Sequence, residues 1–149
     1  MATVPKHVEI ALGLRLLSAW QAVYEVSGGR VGHRLGSTRM LLLRTRGRRT
    51  RRTRTAALLY VEAGDGVAVI GSKGGADAPP AWFLNLKHTP EVEVQVGRER
   101  WPALAREAGG KERERLWARA ARAWPQYERY QARTARRIPV VVLERRPPA

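Results

Sequence analysis

Thr55-Ala56-Ala57-Leu58-Leu59-Tyr60-Val61-Glu62, then Ala63-Gly64-Asp65-Gly66, then Val67-Ala68-Val69-Ile70, is the stretch that decides the fold class. Runs rich in Val, Leu, Ile and Tyr read as strands. Asp and Gly between them read as a tight reversal, because both tolerate positive backbone angles. Strands joined by so short a turn pair antiparallel. The same reading extends outward. Met40–Leu43 is a short apolar run suited to a buried strand. In Glu91–Val96 the valines Val92, Val94 and Val96 alternate with Glu91, Glu93 and Gln95, as in a strand with one wet face. Gly97-Arg98 turns, Arg100–Glu107 runs back, and Ile138–Glu144 is a β-branched run.

The remaining segments have helical spacing. Val8–Val26 places Leu12, Leu16 and Trp20 four apart, with Leu17, Trp20 and Tyr24 continuing the face, and Gly28-Gly29 stops it. Ala81–Lys87 is a short helix ended before Pro90. Lys111–Trp124 carries Leu116, Ala120 and Trp124 on one side, and Gln126–Arg136 follows Pro125. About six hairpin-linked strands curl and close to hide their edges. The expectation is a mainly β, α+β protein: a small barrel of antiparallel strands flanked by helices. An N-terminal helix and linker occupy 1–38, and the barrel occupies 39–149, in a single domain overall.

Composition narrows the chemistry. At 149 residues, 44% apolar and 28% charged, the chain is long and apolar enough to build a core without staples. It has no Cys, which excludes disulfides, thiolate nucleophiles and Cys-ligated zinc. His7, His33 and His88 are scattered and share no ligand spacing, so no metal is expected. No apolar run approaches the length of a spanning helix, and the first residues lack a signal-peptide layout, which points to a cytoplasmic protein. The net charge of +15 attracts anions.

Two segments concentrate anion-binding groups. Arg44 to Arg54 interleaves Arg44, Arg46, Arg48, Arg49, Arg51, Arg52 and Arg54 with Thr45, Thr50 and Thr53. Guanidinium forks grip phosphate and carboxylate oxygens in pairs, and hydroxyls add donors. Ser72-Lys73-Gly74-Gly75 adds a hydroxyl, a cation and two glycines that allow close backbone approach. The glycine spacing is wrong for a Walker loop or a dinucleotide fingerprint. Trp82, Phe83 and Asn85 follow on the short helix. The two connections are expected to converge, Arg54 with Lys73, on a negatively charged ligand whose flat ring rests against apolar surface. A solvated basic coat also fits the charge alone; a nonspecific nucleic-acid patch fits it too, but leaves the Trp82–Leu86 helix and the Tyr127/Tyr130 pair without a purpose.

Five motifs occur in order: Gly47-Arg48-Arg49-Thr50 with Arg54, Ser72-Lys73-Gly74-Gly75, Pro80-Ala81-Trp82-Phe83-Leu84-Asn85-Leu86, Trp124-Pro125-Gln126-Tyr127-Glu128-Arg129-Tyr130-Gln131, and Arg137-Ile138-Pro139-Val140-Val141-Val142. Together, from about Trp20 to Glu144, they resemble the deazaflavin-dependent nitroreductase family of actinobacteria. The resemblance implies a split β-barrel, similar to FMN-binding split barrels, that binds reduced coenzyme F420. It implies hydride transfer to a quinone, a nitroaromatic or an activated enone. Carried over by position, the cofactor contacts are Arg48, Arg49, Thr50, Arg54, Thr55, Ala56, Ala57 and Leu58. To these are added Ile70, Gly71, Ser72, Lys73, Gly74, Ala81, Trp82, Phe83, Leu84 and Asn85. Tyr130, Tyr127 and Ser72 are the implied catalytic hydroxyls.

The hydride comes from the cofactor in such a system, so the protein need only bind, exclude water and supply a proton. FMN or haem is the alternative ligand for such a barrel, and a non-catalytic F420 carrier the alternative role. The expected partners are a small-molecule electron acceptor and no specific nucleic acid. The assembly is a monomer or homodimer, with peripheral membrane contact open to the N-terminal helix. The chain departs from the family at Arg51, where a glycine usually follows Thr50, and at Ala57, where proline is common.

Overall fold

Seven antiparallel strands and four helices follow one another in a computed structural model that describes residues 6–29, 34–35 and 38–147. Side chains at 8, 9, 11–13, 17, 34, 35 and 38 lie outside that description. The helices are α1 (Lys6–Val26), α2 (Ala81–His88), α3 (Gly110–Ala123) and α4 (Gln126–Ala132). The strands are β1 (Arg34–Leu35), β2 (Thr38–Arg46), β3 (Thr53–Ala63), β4 (Gly66–Ile70), β5 (Glu91–Val96), β6 (Glu99–Glu107) and β7 (Val140–Arg145).

Neighbours run β1-β2-β3-β4-β7-β6-β5, and β5 returns to β2. Six strands therefore close into an antiparallel barrel flanked by helices, with β1 an appendage on β2. Closure is read in the register Leu41↔Val96 to Arg44↔Glu93. Arg44 strengthens the seam, donating to Glu93 at 3.2 Å and to Gln95 at 2.9 Å.

Period-two alternation sorts the side chains. Leu41, Leu43, Val67, Val69, Val94, Trp101, Val141 and Leu143 fill the interior, and Trp82 and Leu86 of α2 enter the same cluster at one end. Ala68, Ile70, Val140 and Val142 point outward beneath α3 and α4, with Leu116, Ala120 and Tyr127. Met40, Leu42 and Ala57 point outward beneath α1, where Tyr24 is fully buried.

Several boundaries differ from the sequence reading. β2 runs on to Arg46 and β3 begins at Thr53, so the arginine-rich connection is only 47–52. Ladder pairing carries those polar residues, Arg46 opposite Thr53 and Thr45 opposite Arg54, where side-chain pattern suggested a loop. β1 was not expected, and α4 stops at Ala132 rather than Arg136. Gln95 was expected on a wet face yet is 2% exposed, because α1 covers it. Leu16 was grouped with Trp20 on the packed face but is 74% exposed. Gln21 and Tyr24 set the packed face, and a residue five before Gln21 lies about 140° around the helix. Leu12 and Leu17 lie outside the described side chains.

Tyr24 fixes α1 to the closing seam. Its hydroxyl lies 3.2 Å from the Met40 carbonyl oxygen and 3.3 Å from that of Gln95, and it accepts the Gly97 N–H at 2.7 Å. Burial pushes its pKa above the usual tyrosine value. Gly29, at φ +90°, closes the helix against the β5–β6 turn, where a Cβ would fall 1.7 Å from the Gly97 carbonyl oxygen. No described helix is long and apolar enough to cross a membrane.

Candidate functional site

The reversal between β2 and β3 is a tight polar arch. Gly47 N–H donates to the Arg52 carbonyl at 2.8 Å, and Arg51 N–H to the Gly47 carbonyl at 2.9 Å. Arg51 is left-handed, φ +62°, at the position where the sequence departs from glycine. Facing the arch is the start of α2, capped by Pro80 with no side-chain hydrogen bond. Between them lies a cleft of about 440 Å³ lined by Gly47, Arg48, Arg49, Thr50, Arg54, Thr55, Ala56, Ala81, Trp82 and Asn85.

Asn85 joins the two walls. Its Oδ1 accepts from the Arg48 N–H at 3.1 Å and from Arg48 Nη1 at 3.2 Å, while its Nδ2 donates to Thr45 Oγ1 at 3.2 Å. Asn85 is 3% exposed and Thr45 2%. Buried polar groups need partners, so each residue requires the others in place. The arch is thereby held with three guanidinium groups, from Arg48, Arg49 and Arg54, at the cleft.

The chemistry of the lining is lopsided. Among the described residues it contains guanidinium and hydroxyl donors and no carboxylate. Among the described residues, the N–H groups of Ala81 and Trp82 have no acceptor, whereas those of Phe83 and Leu84 turn back to Pro80. That is the positive end of a helix, suited to an anion. Ala56 and Trp82 supply an apolar wall. A ring compound carrying phosphate or carboxylate groups fits this donor set.

The Ser72 turn is a separate construction. Lys73–Gly75 forms a single 3₁₀ turn, entered from Ser72 in right-handed helical backbone and continued through Lys73 and Gly74 at φ +46° and +62°. Such a right-to-left succession turns consecutive N–H groups to one side. Those of Ser72, Lys73 and Gly74 have no acceptor among the described residues. The carbonyls on the other side are gathered by Arg136, which donates to Gly71, Ser72 and Ala76 oxygens at 3.2, 2.9 and 2.8 Å. Desolvation lowers the Arg136 pKa from its ordinary value. Gly75 packs on α4 so closely that a Cβ would lie 2.6 Å from the Tyr130 carbonyl oxygen. At the outer end of the turn, Lys6 pairs with Asp77 at 3.1 Å, and that hydrogen bond holds the Asp77 carboxyl below its usual pKa.

Of the residues singled out from sequence, Arg48, Arg49, Thr50, Arg54, Thr55, Ala56, Ala81, Trp82 and Asn85 share the cleft. Lys73, Ser72, Gly71 and Gly74 stand on the turn, outside the cleft's lining. Ala57 faces α1 and Leu58 the barrel interior. Phe83 and Leu84 are half-buried on α2, Phe83 edge-on to Trp82 with ring centroids 6.3 Å apart. Ile70 and Tyr127 line a separate depression of about 10 Å³ beneath α3 and α4.

Tyr127 is 6% exposed, and burial drives its hydroxyl pKa well above the ordinary tyrosine value. Tyr130 is half-buried, its ring edge-on to Tyr127 and 5.5 Å from the Arg133 guanidinium. Sequence reasoning took Thr45 for a loop hydroxyl rather than a buried partner of Asn85, and it missed Arg136. Thr45 continues the inward series of Leu41 and Leu43, a signal that the strand did not end at Leu43. Arg136 carried no local signal.

Comparison with known proteins places this architecture. The model of a family described as F420H(2)-dependent quinone reductase matches residues 17–145. An F420H(2)-dependent quinone reductase of Mycobacterium tuberculosis is 39% identical over 151 residues, covering 96% of this chain and 99% of that protein. Among solved structures, an F420-H2 dependent reductase is 40% identical, with TM-score 0.66, over 70% of this chain and 93% of its own. Another, described as a domain-swapped dimer, is 33% identical, with TM-score 0.69, over 89% of this chain and 99% of its own. The residues that build the cleft thus sit in a chain that belongs to the F420H(2)-dependent quinone reductase family.

Proposed function

We propose that the cleft between the β2–β3 arch and α2 holds reduced coenzyme F420, and that its hydride passes to a quinone. Nitroaromatics and activated enones are further acceptors of the same electron-poor class. One observation carries the reading: three guanidinium groups and the open N-terminus of α2 meet an apolar wall of Ala56 and Trp82 in one cleft. A ring compound with an anionic side chain calls for that combination. Bound deazaflavin supplies a two-electron hydride.

Arg48, Arg49 and Arg54 bind the anionic groups, with Thr50 and the Ala81 and Trp82 N–H groups as further donors. Lys73 and the N–H groups of Ser72–Gly74 make a second anchor for a long acidic substituent. Trp82, with Phe83 behind it, keeps water from one side of the ring. Reduction of a quinone to a hydroquinone takes the hydride and one proton. Ser72 and Tyr130 are the hydroxyls we assign to holding that proton. Tyr127 is shut into the α3–α4 layer and braces Tyr130.

A homodimer is the assembly we propose, on the strength of the domain-swapped relative. The exposed row Leu16, Val23 and Val26 of α1 supports a peripheral contact with the lipid phase where an apolar quinone would reside. Fluorescence titration of the purified protein with F420, and with FMN in parallel, tests the cofactor. Oxidation of F420H2 on adding menadione tests the reaction. Binding of FMN in place of F420, or no menadione-dependent oxidation, would overturn the reading.

A further inference from the structure

β3 is only half paired on its outer side. β4 meets it from Tyr60 to Ala63, so Thr53–Leu59 faces no strand there among the described residues. That bare edge carries the β3 wall of the cleft, Arg54, Thr55 and Ala56. Held by β2 on one side only, such a stretch is more prone to local opening than a strand paired on both, and its side chains are held less firmly.

Gln21 of α1 fills the gap. Its Nε2 donates to the Thr55 carbonyl at 3.0 Å, and its Oε1 accepts the Ala57 N–H at 3.2 Å. Residues two apart on a strand turn their backbone groups to the same side, so one primary amide spans both as a neighbouring strand would. The second Nε2 hydrogen goes to Glu25 at 3.0 Å. Both N–H groups and the carbonyl oxygen are engaged, and a flipped amide would oppose each contact. The two bonds to β3 bracket Ala56, whose side chain forms the apolar wall.

α1 is held at other points as well. Tyr24 ties the helix to the β2–β5 seam, Trp20 packs on the cluster of Met40, Leu42 and Ala57, and Lys6 ties the first turn to Asp77. We propose that Gln21 is a positioning residue for cofactor binding: a side-chain surrogate for a missing strand, keeping the Arg54–Ala56 wall in register with the arch and α2. The inference rests on the cleft being the F420 site.

The test uses the full-length protein and two near-isosteric variants, Gln21→Met, which makes neither bond, and Gln21→Glu, which still accepts from Ala57 but opposes the Thr55 carbonyl and Glu25. Both should weaken F420 binding and raise the KM for F420H2 by roughly tenfold, with kcat for menadione within about threefold of the parent. In the apo protein, amide exchange at Ala57 should speed up in Gln21→Met while that at Ala68 in β4 stays unchanged. Parent-like F420 affinity in both variants, with only a lower Tm, overturns the proposal. So does equal acceleration at Ala57 and Ala68, which would mean global loosening. Failure of the parent protein to bind F420 sinks the cofactor assignment instead, and the apo exchange result still reports on the edge.

Discussion

Asn85 and Arg48 grip each other twice, through the Arg48 main chain at 3.1 Å and its guanidinium at 3.2 Å, both on one amide oxygen. Arg51 reaches Thr89 at the far end of α2 from the outer side of the arch, so the Asn85–Arg48 pair is the tie at the cleft itself. Asn85→Ala leaves the Arg48 N–H and the buried Thr45 hydroxyl without their partner. Each such orphan costs about 1–3 kcal/mol. A lower Tm together with weaker F420 binding is expected. Asn85→Asp keeps the acceptor but sets a negative charge beside an anion site, so here affinity should fall more than stability. Unaltered F420 affinity in both variants would count against a role for Asn85 at the cleft.

The two anchors can be separated by charge removal. A guanidinium hydrogen-bonded to an anion contributes about 1.5–3 kcal/mol, or roughly ten- to a hundredfold in Kd. Arg54→Ala should lose that much. Lys73→Ala should lose less and show it chiefly with cofactor bearing a long acidic tail, since Lys73 lies outside the cleft's lining. Equal losses with tailed and tailless cofactor would place Lys73 on the phosphate instead.

Tyr127 offers a pH test. Its folded pKa is raised by burial first and by the neighbouring Tyr130 second, above the ordinary 10.0. The folded state therefore holds this proton more tightly than the unfolded one. Its contribution to stability is fully present below pH 10 and is lost as pH climbs from there toward the folded value. Tyr127→Phe should flatten the alkaline limb of the stability profile relative to the parent. Its hydroxyl has no hydrogen-bond acceptor among the described residues, so the variant should also gain up to about 1 kcal/mol at neutral pH. Hydride transfer to menadione should persist in Tyr127→Phe and fall in Tyr130→Phe or Ser72→Ala. The reverse ranking would make Tyr127 the proton donor.

Arg51 carries backbone strain at φ +62°. Left-handed backbone costs a non-glycine residue about 1–2 kcal/mol, and glycine gives back part of that through its freer unfolded chain. Arg51→Gly should therefore be neutral to about 1 kcal/mol stabilising, despite losing the exposed 3.3 Å contact to Thr89. A clear fall in Tm would show that the side chain holds the arch.

Much of the barrel was legible from two signals: alternation in β5, where Val92 and Val94 face the interior, and unbroken apolar runs in β2 and β7, where Leu41 and Leu42 or Val141 and Val142 are buried on opposite faces. What escaped was decided by pairing rather than by side-chain type. Arg44, Thr45 and Arg46 read as loop by composition, yet the β2–β3 ladder continues through them. Gln95 read as solvent-facing because Tyr24, on the helix that covers it, is 71 residues upstream. In the cleft, the arginine motif and Trp82–Asn85 were legible as chemistry. The tie between Thr45, Asn85 and Arg48 was not, since a side-chain network across three elements leaves no trace in spacing. Nor was Gln21 visible: a lone glutamine on a helix carries no signal until the strand edge beside it is known to be bare.

The fastening of Tyr24 also has a temporal side. Its hydroxyl meets Gln95 and Gly97, 71 and 73 residues downstream. On the ribosome α1 emerges ahead of the barrel, at roughly 5–20 residues per second, and its seat is not built until the chain has been made through the β5–β6 turn. Long-range closure of this kind is slow compared with forming the helix itself. A nascent chain thus carries an amphipathic segment with nowhere to dock for several seconds. During that interval another molecule's seat is as good as its own.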